Sequence, residues 1–298
     1  MATPSQWIAG ARLRTLPMAI APVIVGTAAA VAETGAFHWI RAILALLVSL
    51  ALQVGVNYAN DYSDGIRGTD EDRVGPLRLT GSGAAKAGHV KAAAFLSFGV
   101  AALFGLALVW ASETWWLIAV GVVCVLAAWW YTGGKHPYGY MGLGEVFVFV
   151  FFGLVATLGS TYTQVLTLNS AAWTGAIAVG LIATALLMAN NIRDIPTDRE
   201  VGKNTLAVRL GESLSRTFYA LMVIVAALMP IFAVGTNYWL LLSLLTLAVG
   251  IGPIRTVMTA QTSPELIPVL KQTGILSLVF AVLFAAACIL GQLFGPLG

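Results

Sequence analysis

Nine long apolar runs constrain this chain more than any other feature of its sequence. Each has roughly 20 residues with few charges, the length that an α-helix needs to cross a hydrocarbon core about 30 Å thick. Of the 298 residues, 59% are hydrophobic and 10% are charged, whereas about a quarter are charged in soluble domains. The sequence therefore predicts an all-α, polytopic membrane protein formed by a single domain over residues 1–298. The predicted spans are residues 15–33, 41–59, 92–112, 115–132, 143–162, 173–192, 217–235, 238–257 and 273–294.

The basic residues predict the orientation of these spans. With a cytoplasmic N-terminus, every lysine and arginine except Arg41 falls on the cytoplasmic side, as expected because basic segments resist translocation. We therefore expect a plasma-membrane protein whose N-terminus and aspartate-rich segments lie in the cytoplasm. The net charge of +3 follows from this topology and does not indicate a nucleic-acid partner.

Most charges are concentrated in two segments, each of which follows an apolar run. Residues 61–91 and 193–216 together hold 19 of the 29 charged residues. A motif that combines asparagine with spaced aspartates overlaps the start of each segment, at residues 57–72 and 190–205. The two motifs follow the second and sixth spans, which indicates a weak internal repeat of about 130 residues. Repeated halves of membrane proteins often face one another across a site, so we expect a central cavity between them.

The spacing within each motif places its polar side chains on one helix face. They recur every three or four positions, and therefore share a face if the end of the preceding span stays helical. The residues on these faces are Asn57, Asn60, Asp61 and Asp64 in the first motif and Asn191, Asp194 and Asp198 in the second. Pro196 is expected to end or kink the second helix. Carboxylates that converge at helix ends suit Mg²⁺, which is usually held by one or two carboxylates together with a substrate's phosphates.

Other interpretations fit these segments less well. A solvated loop is the ordinary origin of a charge run, but it does not explain a motif that occurs twice with asparagine beside aspartate. A calcium-binding loop has acidic ligands at its first and third positions, where this chain has Asn60 and Tyr62. A secondary transporter, the alternative from another functional class, places ionisable groups near the bilayer midplane. Here the carboxylates cluster at one surface.

The paired motifs resemble those of a known family. NDYSDGIRGTD and NNIRDIPTDREVGKNT are similar to the two aspartate-rich motifs of the UbiA superfamily of intramembrane aromatic prenyltransferases. Three further segments, ARLRTLP, VGPLRLTGSG and YTGGKHPYGYMGLGE, narrow the resemblance to the menaquinone branch, the 1,4-dihydroxy-2-naphthoate polyprenyltransferases, in its actinobacterial form. The similarity extends over nearly the whole chain.

This resemblance implies a reaction and its substrates. The enzyme would transfer a polyprenyl group from polyprenyl diphosphate to 1,4-dihydroxy-2-naphthoate, with loss of carbon dioxide, to give demethylmenaquinone. Two Mg²⁺ ions and several cationic side chains would neutralise the negative charge that builds on the departing diphosphate. Aromatic ring faces would stabilise the resulting allylic cation.

The resemblance also assigns roles to individual residues. The expected metal ligands are Asp61, Asp64, Asp194 and Asp198, with Asp70 as a further ligand or a residue behind the ligands. The asparagines expected to add carbonyl oxygens or to orient the carboxylates are Asn57, Asn60, Asn190 and Asn191. The cations expected at the diphosphate are Arg67, Lys135 and Lys203, with Arg14, Arg78 and Arg193 as further candidates. The aromatic residues expected at the allylic cation are Tyr131, Tyr140, Trp129 and Trp130. For the two tryptophans, a belt at the membrane interface is the favoured alternative.

Two departures from the family pattern bear on the details. The hydroxybenzoate branch has a tyrosine, a proline and a Lys-Arg pair after the fourth span, whereas this chain reads YTGGKHP, which argues against hydroxybenzoate as the acceptor. Many relatives carry a third aspartate where this chain has Gly68, so the choice of metal ligands in the first motif stays open. Another aromatic acceptor, or a phosphorylated sugar, is the alternative within the family.

Overall fold

The structure is a computed structural model that describes residues 2–69 and 77–295. These residues form helices joined by short turns, and no strand occurs among them. Numbered in chain order, the helices are α1 (Pro4–Gly10), α2 (Pro17–Thr34), α3 (Trp39–Ile66), α4 (Ala87–Ser112), α5 (Leu117–Trp130), α6 (Gly144–Val165), α7 (Ser170–Glu200), α8 (Leu206–Leu210), α9 (Glu212–Ala233), α10 (Tyr238–Thr259) and α11 (Ser263–Phe294).

The predicted apolar spans are confirmed as helices. Eight helices in the described part of the chain are long and apolar enough to cross a membrane, namely α2, α3, α4, α6, α7, α9, α10 and α11. The fourth predicted span is the shorter helix α5, with 14 residues, because residues 115, 116, 131 and 132 form turns. At ~1.5 Å per residue, α5 covers roughly 21 Å. The chain is therefore a multi-pass, all-helical membrane protein.

Helices α3 and α7 extend well beyond the predicted apolar spans at their C-terminal ends. Helix α3 continues to Ile66 and α7 continues to Glu200, so the aspartates of both motifs from Asp61 to Asp64 and from Asp194 to Asp198 are helical. Helix α7 does not end at Pro196, which lies in its last turns and removes only one backbone donor there. Helical geometry therefore sets the direction of these carboxylates.

Helix α7 is the most deeply buried of the eight long helices. It packs against α2, α6, α9 and α11, and the main hydrophobic core forms around it. Glycines allow α6 to approach closely, since a β-carbon on Gly153 would lie 2.5 Å from the Cα of Gly180. Small residues at helix contacts are typical of membrane bundles. This packing holds the second motif rigidly against α6.

A smaller core lies where α1, α3, α4 and α5 meet. It includes Tyr58, Phe98 and Leu79, the last from the loop that follows α3. A cavity separates the two cores and is lined by residues of α1 to α7. The ends of α3 and α7 that carry the two motifs both line this cavity.

Candidate active site

The cavity has a volume of about 980 Å³ and two chemically different parts. Polar residues line the part next to the ends of α3 and α7, and they are Arg14, Asn57, Asn60, Asp64, Arg78, Asn190, Asn191, Arg193 and Lys203. Apolar residues of α4, α5 and α6 line the rest, among them Leu106, Val109, Ile118, Val122, Phe147 and Phe151. The site can therefore hold a molecule with a charged head and a hydrocarbon body.

Helix α3 places Asn57, Asn60 and Asp64 at the cavity, on one face as predicted. All three are buried. The Asn57 Nδ2 donates to Thr15 Oγ1 at 3.0 Å, which ties the segment before α2 to α3. The Asn60 Oδ1 accepts from Thr132 Oγ1 at 2.9 Å, which ties the segment after α5 to the same face. Both asparagines therefore position neighbouring segments around the cavity.

Asp61 lies apart from the cavity, contrary to its expected position as a metal ligand. Its side chain is fully buried. Its Oδ2 accepts from the backbone N–H of Leu79 and its Oδ1 from that of Thr80, each at 2.8 Å. The carboxylate is turned this way because the loop after α3 folds back and engages both oxygens. Arg78, the residue before Leu79 in that loop, does line the cavity.

On α7, Arg193 and Asp194 form a buried ion pair. The guanidinium donates from Nε and Nη2 to the two carboxylate oxygens at 2.7 and 2.8 Å. Its Nη2 also donates to Asn190 Oδ1 at 2.8 Å. Charge-assisted, bidentate pairs of this kind are geometrically restrictive. The pair therefore holds the guanidinium beside the cavity, with Asp194 behind it.

The last turn of α7 brings a second cation to the cavity. The Lys203 ammonium lies 3.5 Å from Asp198 Oδ1, and the Lys203 backbone N–H donates to the Asp198 carbonyl at 2.8 Å. Both side chains are largely buried. Asp198 therefore sets the position of Lys203, which lines the cavity.

Tyr140 joins the two motifs. Its hydroxyl donates to Asp64 Oδ1 at 2.7 Å, while the Lys203 ammonium lies 5.1 Å from its ring centre and the Arg67 guanidinium 5.2 Å. Burial raises the pKa of Tyr140, and the nearby Asp64 carboxylate raises it further. The phenol therefore stays protonated and acts as a donor to Asp64.

Tyr131 lies where the polar part of the cavity meets the apolar part. Its ring contacts Tyr138 edge to face at 5.5 Å, and Tyr138 stacks on Phe147 at 3.9 Å. All three line the cavity. Burial, and then the negative charge of Glu145, raises the pKa of Tyr131. These neutral rings form an aromatic wall, which we define as Tyr131, Tyr138 and Phe147.

Several predicted site residues do not line the cavity. Asp194, Asp198 and Tyr140 contact residues that do, whereas two predicted cations lie farther out. Lys135 is exposed. Arg67 is also exposed and donates to the backbone carbonyls of Thr132 and Gly134, so it holds the loop after α5. These two cations lie outside because the loop that contains Lys135 turns away from the cavity and supplies the carbonyls that Arg67 binds. Asp70 falls outside the described residues.

The two tryptophans at the end of α5 also face away from the cavity. Trp130 is 51% exposed. Trp129 stacks on Tyr62 at 6.1 Å and contacts Phe95 at 4.9 Å, with the Lys91 ammonium 5.8 Å from its ring. Neither ring can reach a cation formed in the cavity, whereas Tyr131, which was also expected there, forms part of the aromatic wall.

Two buried polar residues at or beside the cavity were missed from the sequence. Gln53 lies one turn before Asn57 on α3, lines the cavity and donates to Thr15 Oγ1 at 2.8 Å; extending the polar spacing by four residues would have found it. Glu145 is a buried acid at the start of α6. A charged residue inside a predicted span is itself a signal of function.

The donor atoms at the polar end fit Mg²⁺, which takes oxygen ligands. Asp64 of α3 lines this end together with Asn57, Asn60, Asn190 and Asn191. Asp194 and Asp198 of α7 lie directly behind it, each paired with a cation that lines the cavity. Among the described residues, no three acidic, histidine or cysteine side chains form a metal-binding cluster by themselves. Because Mg²⁺ is usually held by one or two carboxylates plus substrate phosphates, a bound diphosphate would complete the coordination.

Residues 19–266 match the UbiA prenyltransferase family. The chain belongs to this family. The membership agrees with the resemblance of the two motifs, and it favours a prenyltransferase over the secondary transporter.

Curated relatives within the family match nearly the full length of this chain. A 1,4-dihydroxy-2-naphthoate octaprenyltransferase from Mycobacterium tuberculosis is 49% identical and the match covers 98% of this chain and 100% of the relative. The Escherichia coli protein of the same name is 39% identical, with 96% of each chain covered.

Solved structures of UbiA homologs share the fold at low sequence identity. A homolog from Aeropyrum pernix has a TM-score of 0.70 and 17% identity, and the match covers 94% of this chain and 98% of that one. A homolog from Archaeoglobus fulgidus bound to DMAPP and Mg²⁺ has a TM-score of 0.68 and 14% identity, with 95% and 99% covered.

Proposed function

We propose that this protein is a Mg²⁺-dependent prenyltransferase that joins a polyprenyl group to 1,4-dihydroxy-2-naphthoate, with decarboxylation, in menaquinone biosynthesis. The observation that carries the proposal is the cavity itself, in which a cation-rich end continues into apolar walls. A polyprenyl diphosphate has the same two parts. The acceptor is supported by the names of the curated relatives.

The diphosphate would bind at the polar end of the cavity. Lys203, Arg193 and Arg78 line this end, and each provides a cation for phosphate oxygens. Asp198 and Asp194 hold two of these cations in place. The carboxylates of Asp64, Asp194 and Asp198 would hold two Mg²⁺ ions, which when bound stabilise negative charge on the diphosphate. The prenyl chain would extend along the apolar walls.

Transfer begins when the allylic carbon–oxygen bond breaks and its electron pair leaves with the diphosphate. The arginines and the lysine at the polar end stabilise that negative charge. The aromatic wall faces the same region, and the negative ring faces of Tyr131 and Tyr138 stabilise the allylic cation. The apolar walls exclude water, which would otherwise capture the cation.

The aromatic acceptor then attacks the cation through the ring carbon that bears its carboxylate. A carbon–carbon bond forms there, the bond to the carboxylate breaks, and its electron pair returns to the ring as carbon dioxide leaves. The aromatic wall lies between the polar end and the apolar walls, so a ring stacked on it would meet the allylic carbon. Tyr131 would therefore contact both the acceptor ring and the allylic carbon.

The orientation of the protein belongs to the same proposal. The basic residues predict that both motifs face the cytoplasm, where soluble substrates such as a hydroxylated naphthoate are available. We infer that the protein lies in the plasma membrane with the polar end of its cavity on the cytoplasmic side.

The proposal is tested with purified protein in detergent, geranylgeranyl or longer prenyl diphosphate, and 1,4-dihydroxy-2-naphthoate. We expect a prenylated, decarboxylated naphthoquinol that forms with Mg²⁺ and not with EDTA. 4-Hydroxybenzoate serves as the alternative acceptor, and Asp64→Ala as the control with strongly reduced activity. Prenylation of hydroxybenzoate in preference to the naphthoate would refute the acceptor, and a lack of product with every aromatic acceptor would refute the transferase.

A further inference from the structure

Glu145 is a buried carboxylate that the proposed mechanism does not use. It lies at the start of α6 with 4% of its surface exposed. Its Oε1 accepts a hydrogen bond from Asn191 Nδ2 at 2.9 Å. This bond joins α6 to α7 between residues that are 46 positions apart, and Asn191 belongs to the second motif.

The surroundings of Glu145 differ from those of the proposed diphosphate site. Within residues 2–69 and 77–295, no lysine, arginine or histidine forms an ion pair with it, and its Oε2 is buried without a hydrogen-bond partner. Because no cation among these residues pairs with Glu145, a diphosphate gains no electrostatic attraction there, whatever the charge of the carboxyl group. A ligand group that binds beside Glu145 would therefore be neutral and a hydrogen-bond donor.

Asn191 connects Glu145 to the cavity. It is buried and lines the cavity, and its amide nitrogen is engaged by Glu145. An amide has donors on its nitrogen and acceptor sites on its oxygen, so Asn191 offers its carbonyl oxygen Oδ1 to a ligand. A carboxylate accepts hydrogen bonds and does not donate them when ionised, so Glu145 keeps the amide in this orientation.

The aromatic wall adjoins this pair. Tyr131 packs against Gly144, since a β-carbon there would lie 3.3 Å from the Tyr131 ring and 3.6 Å from its hydroxyl. Phe147 follows two residues after Glu145 on α6 and lines the cavity. A ring stacked on the aromatic wall would therefore have its edge next to Asn191.

We propose that Glu145 is a positioning residue, which holds the Asn191 amide so that Oδ1 accepts a hydrogen bond from a hydroxyl group of the aromatic acceptor. The inference rests on the proposed function, because it concerns the acceptor of that reaction. It adds that two residues of α7 have different tasks, one at the diphosphate and one at the acceptor. Arg193, held by Asp194, faces the diphosphate, and Asn191, two residues before Arg193, orients the hydroxylated ring.

The test compares four variants in steady-state prenylation of 1,4-dihydroxy-2-naphthoate, namely Glu145→Ala, Glu145→Gln, Asn191→Ala and the double variant with both alanines. We expect the two single alanine variants to raise the acceptor KM by about tenfold, the size of one hydrogen bond, with the diphosphate KM unchanged. Glu145→Gln keeps an oxygen that accepts from Asn191, so its KM should stay near that of the wild type.

The double variant distinguishes positioning from a separate structural contribution. Because Glu145 acts through Asn191, the double variant should be no worse than Asn191→Ala, whereas independent effects would multiply. If Glu145→Ala does not fold, Glu145→Met replaces it, since methionine fills the volume without accepting this bond. Glu113→Gln, the same substitution at an exposed acid, controls for the change of charge.

Three results would overturn the inference. They are a Glu145→Gln variant as defective as Glu145→Ala, a multiplicative double variant, and a rise in the diphosphate KM in place of the acceptor KM. The activity of the wild type distinguishes a failure of this inference from a failure of the proposed function. A wild type that prenylates the naphthoate while the variants fail this pattern refutes the role of Glu145 alone. A wild type that prenylates no aromatic acceptor refutes the proposed function and this inference with it.

Discussion

Replacing Asp61 by asparagine separates two roles for the first aspartate of the first motif. The sequence predicts a metal ligand, whereas the structure shows a carboxylate that binds the loop after α3. Asparagine has nearly the same shape but keeps only one acceptor oxygen. Its NH₂ group would face one of the two backbone N–H groups, those of Leu79 and Thr80, that now donate to Asp61 at 2.8 Å.

The expected loss of stability follows from these two bonds. A hydrogen bond to a charged acceptor contributes about 1.5–3 kcal/mol, and a neutral one about 1 kcal/mol. The variant weakens one bond and removes the other, which leaves a buried N–H without an acceptor. We therefore expect a loss on the order of 3 kcal/mol in the free energy of unfolding. The loop that carries Arg78 would be held less firmly, so the KM for prenyl diphosphate should rise.

The assay combines thermal unfolding in detergent with a Mg²⁺ titration of activity. Asp61→Asn should lower the melting temperature by several degrees and leave the Mg²⁺ concentration for half-maximal activity unchanged. Asp64→Asn, the same substitution on the same helix, should leave the melting temperature near that of the wild type. It should raise the Mg²⁺ concentration for half-maximal activity, because Asp64 lines the cavity. An Asp61→Asn variant with wild-type stability and a strongly raised Mg²⁺ requirement would refute the loop-binding role and restore the metal-ligand interpretation.

Other predictions concern the motifs and the aromatic residues that join them. Asp64→Ala and Asp194→Asn should each reduce turnover, measured by product formation, by at least about 100-fold. Membrane fractionation should show normal insertion of both variants, and asparagine at position 194 keeps a partner for buried Arg193. Near wild-type activity in both variants would contradict the two-motif site. Tyr140→Phe removes the donor to Asp64 while keeping the ring beside Lys203, and should lower kcat about fivefold. Because the pKa of Tyr140 is raised, this defect should be the same from neutral to mildly alkaline pH; a defect that disappears as pH rises would show that the wild-type phenol ionises. EDTA should abolish activity and added Mg²⁺ should restore it, and activity that persists in EDTA would exclude the metal.

Local composition accounts for the parts of the fold that were predicted. Each span needs only a sufficient length of apolar residues, so the nine runs appear as helices, including the shorter α5. The spacing of Asn57, Asn60 and Asp64 depends on the helical period alone, and these residues share a face at the cavity. Helix ends were less predictable, since α7 continues past Pro196 where surrounding helices support it.

The roles of individual polar side chains depended on contacts between distant parts of the chain. Asp61 meets a backbone loop 18 residues away, and Tyr140 meets Asp64 across 76 residues. No local pattern encodes these distances, because a carboxylate at a given helical position can bind a metal, a cation or backbone N–H groups. Arg67 and Lys135 were therefore expected at the diphosphate, although one holds a loop and the other is exposed.

The sequence by itself determined that this is a helical membrane protein with two matching, aspartate-rich helix ends, and its motifs indicated the prenyltransferase family. These properties follow from apolar length, helical period and short residue patterns. The tertiary structure alone decided which of the polar groups face the cavity, that Tyr140 joins the two motifs, and that Glu145 meets Asn191. In an apolar interior a polar group must find a partner, and which partner lies within reach is set by how the helices pack.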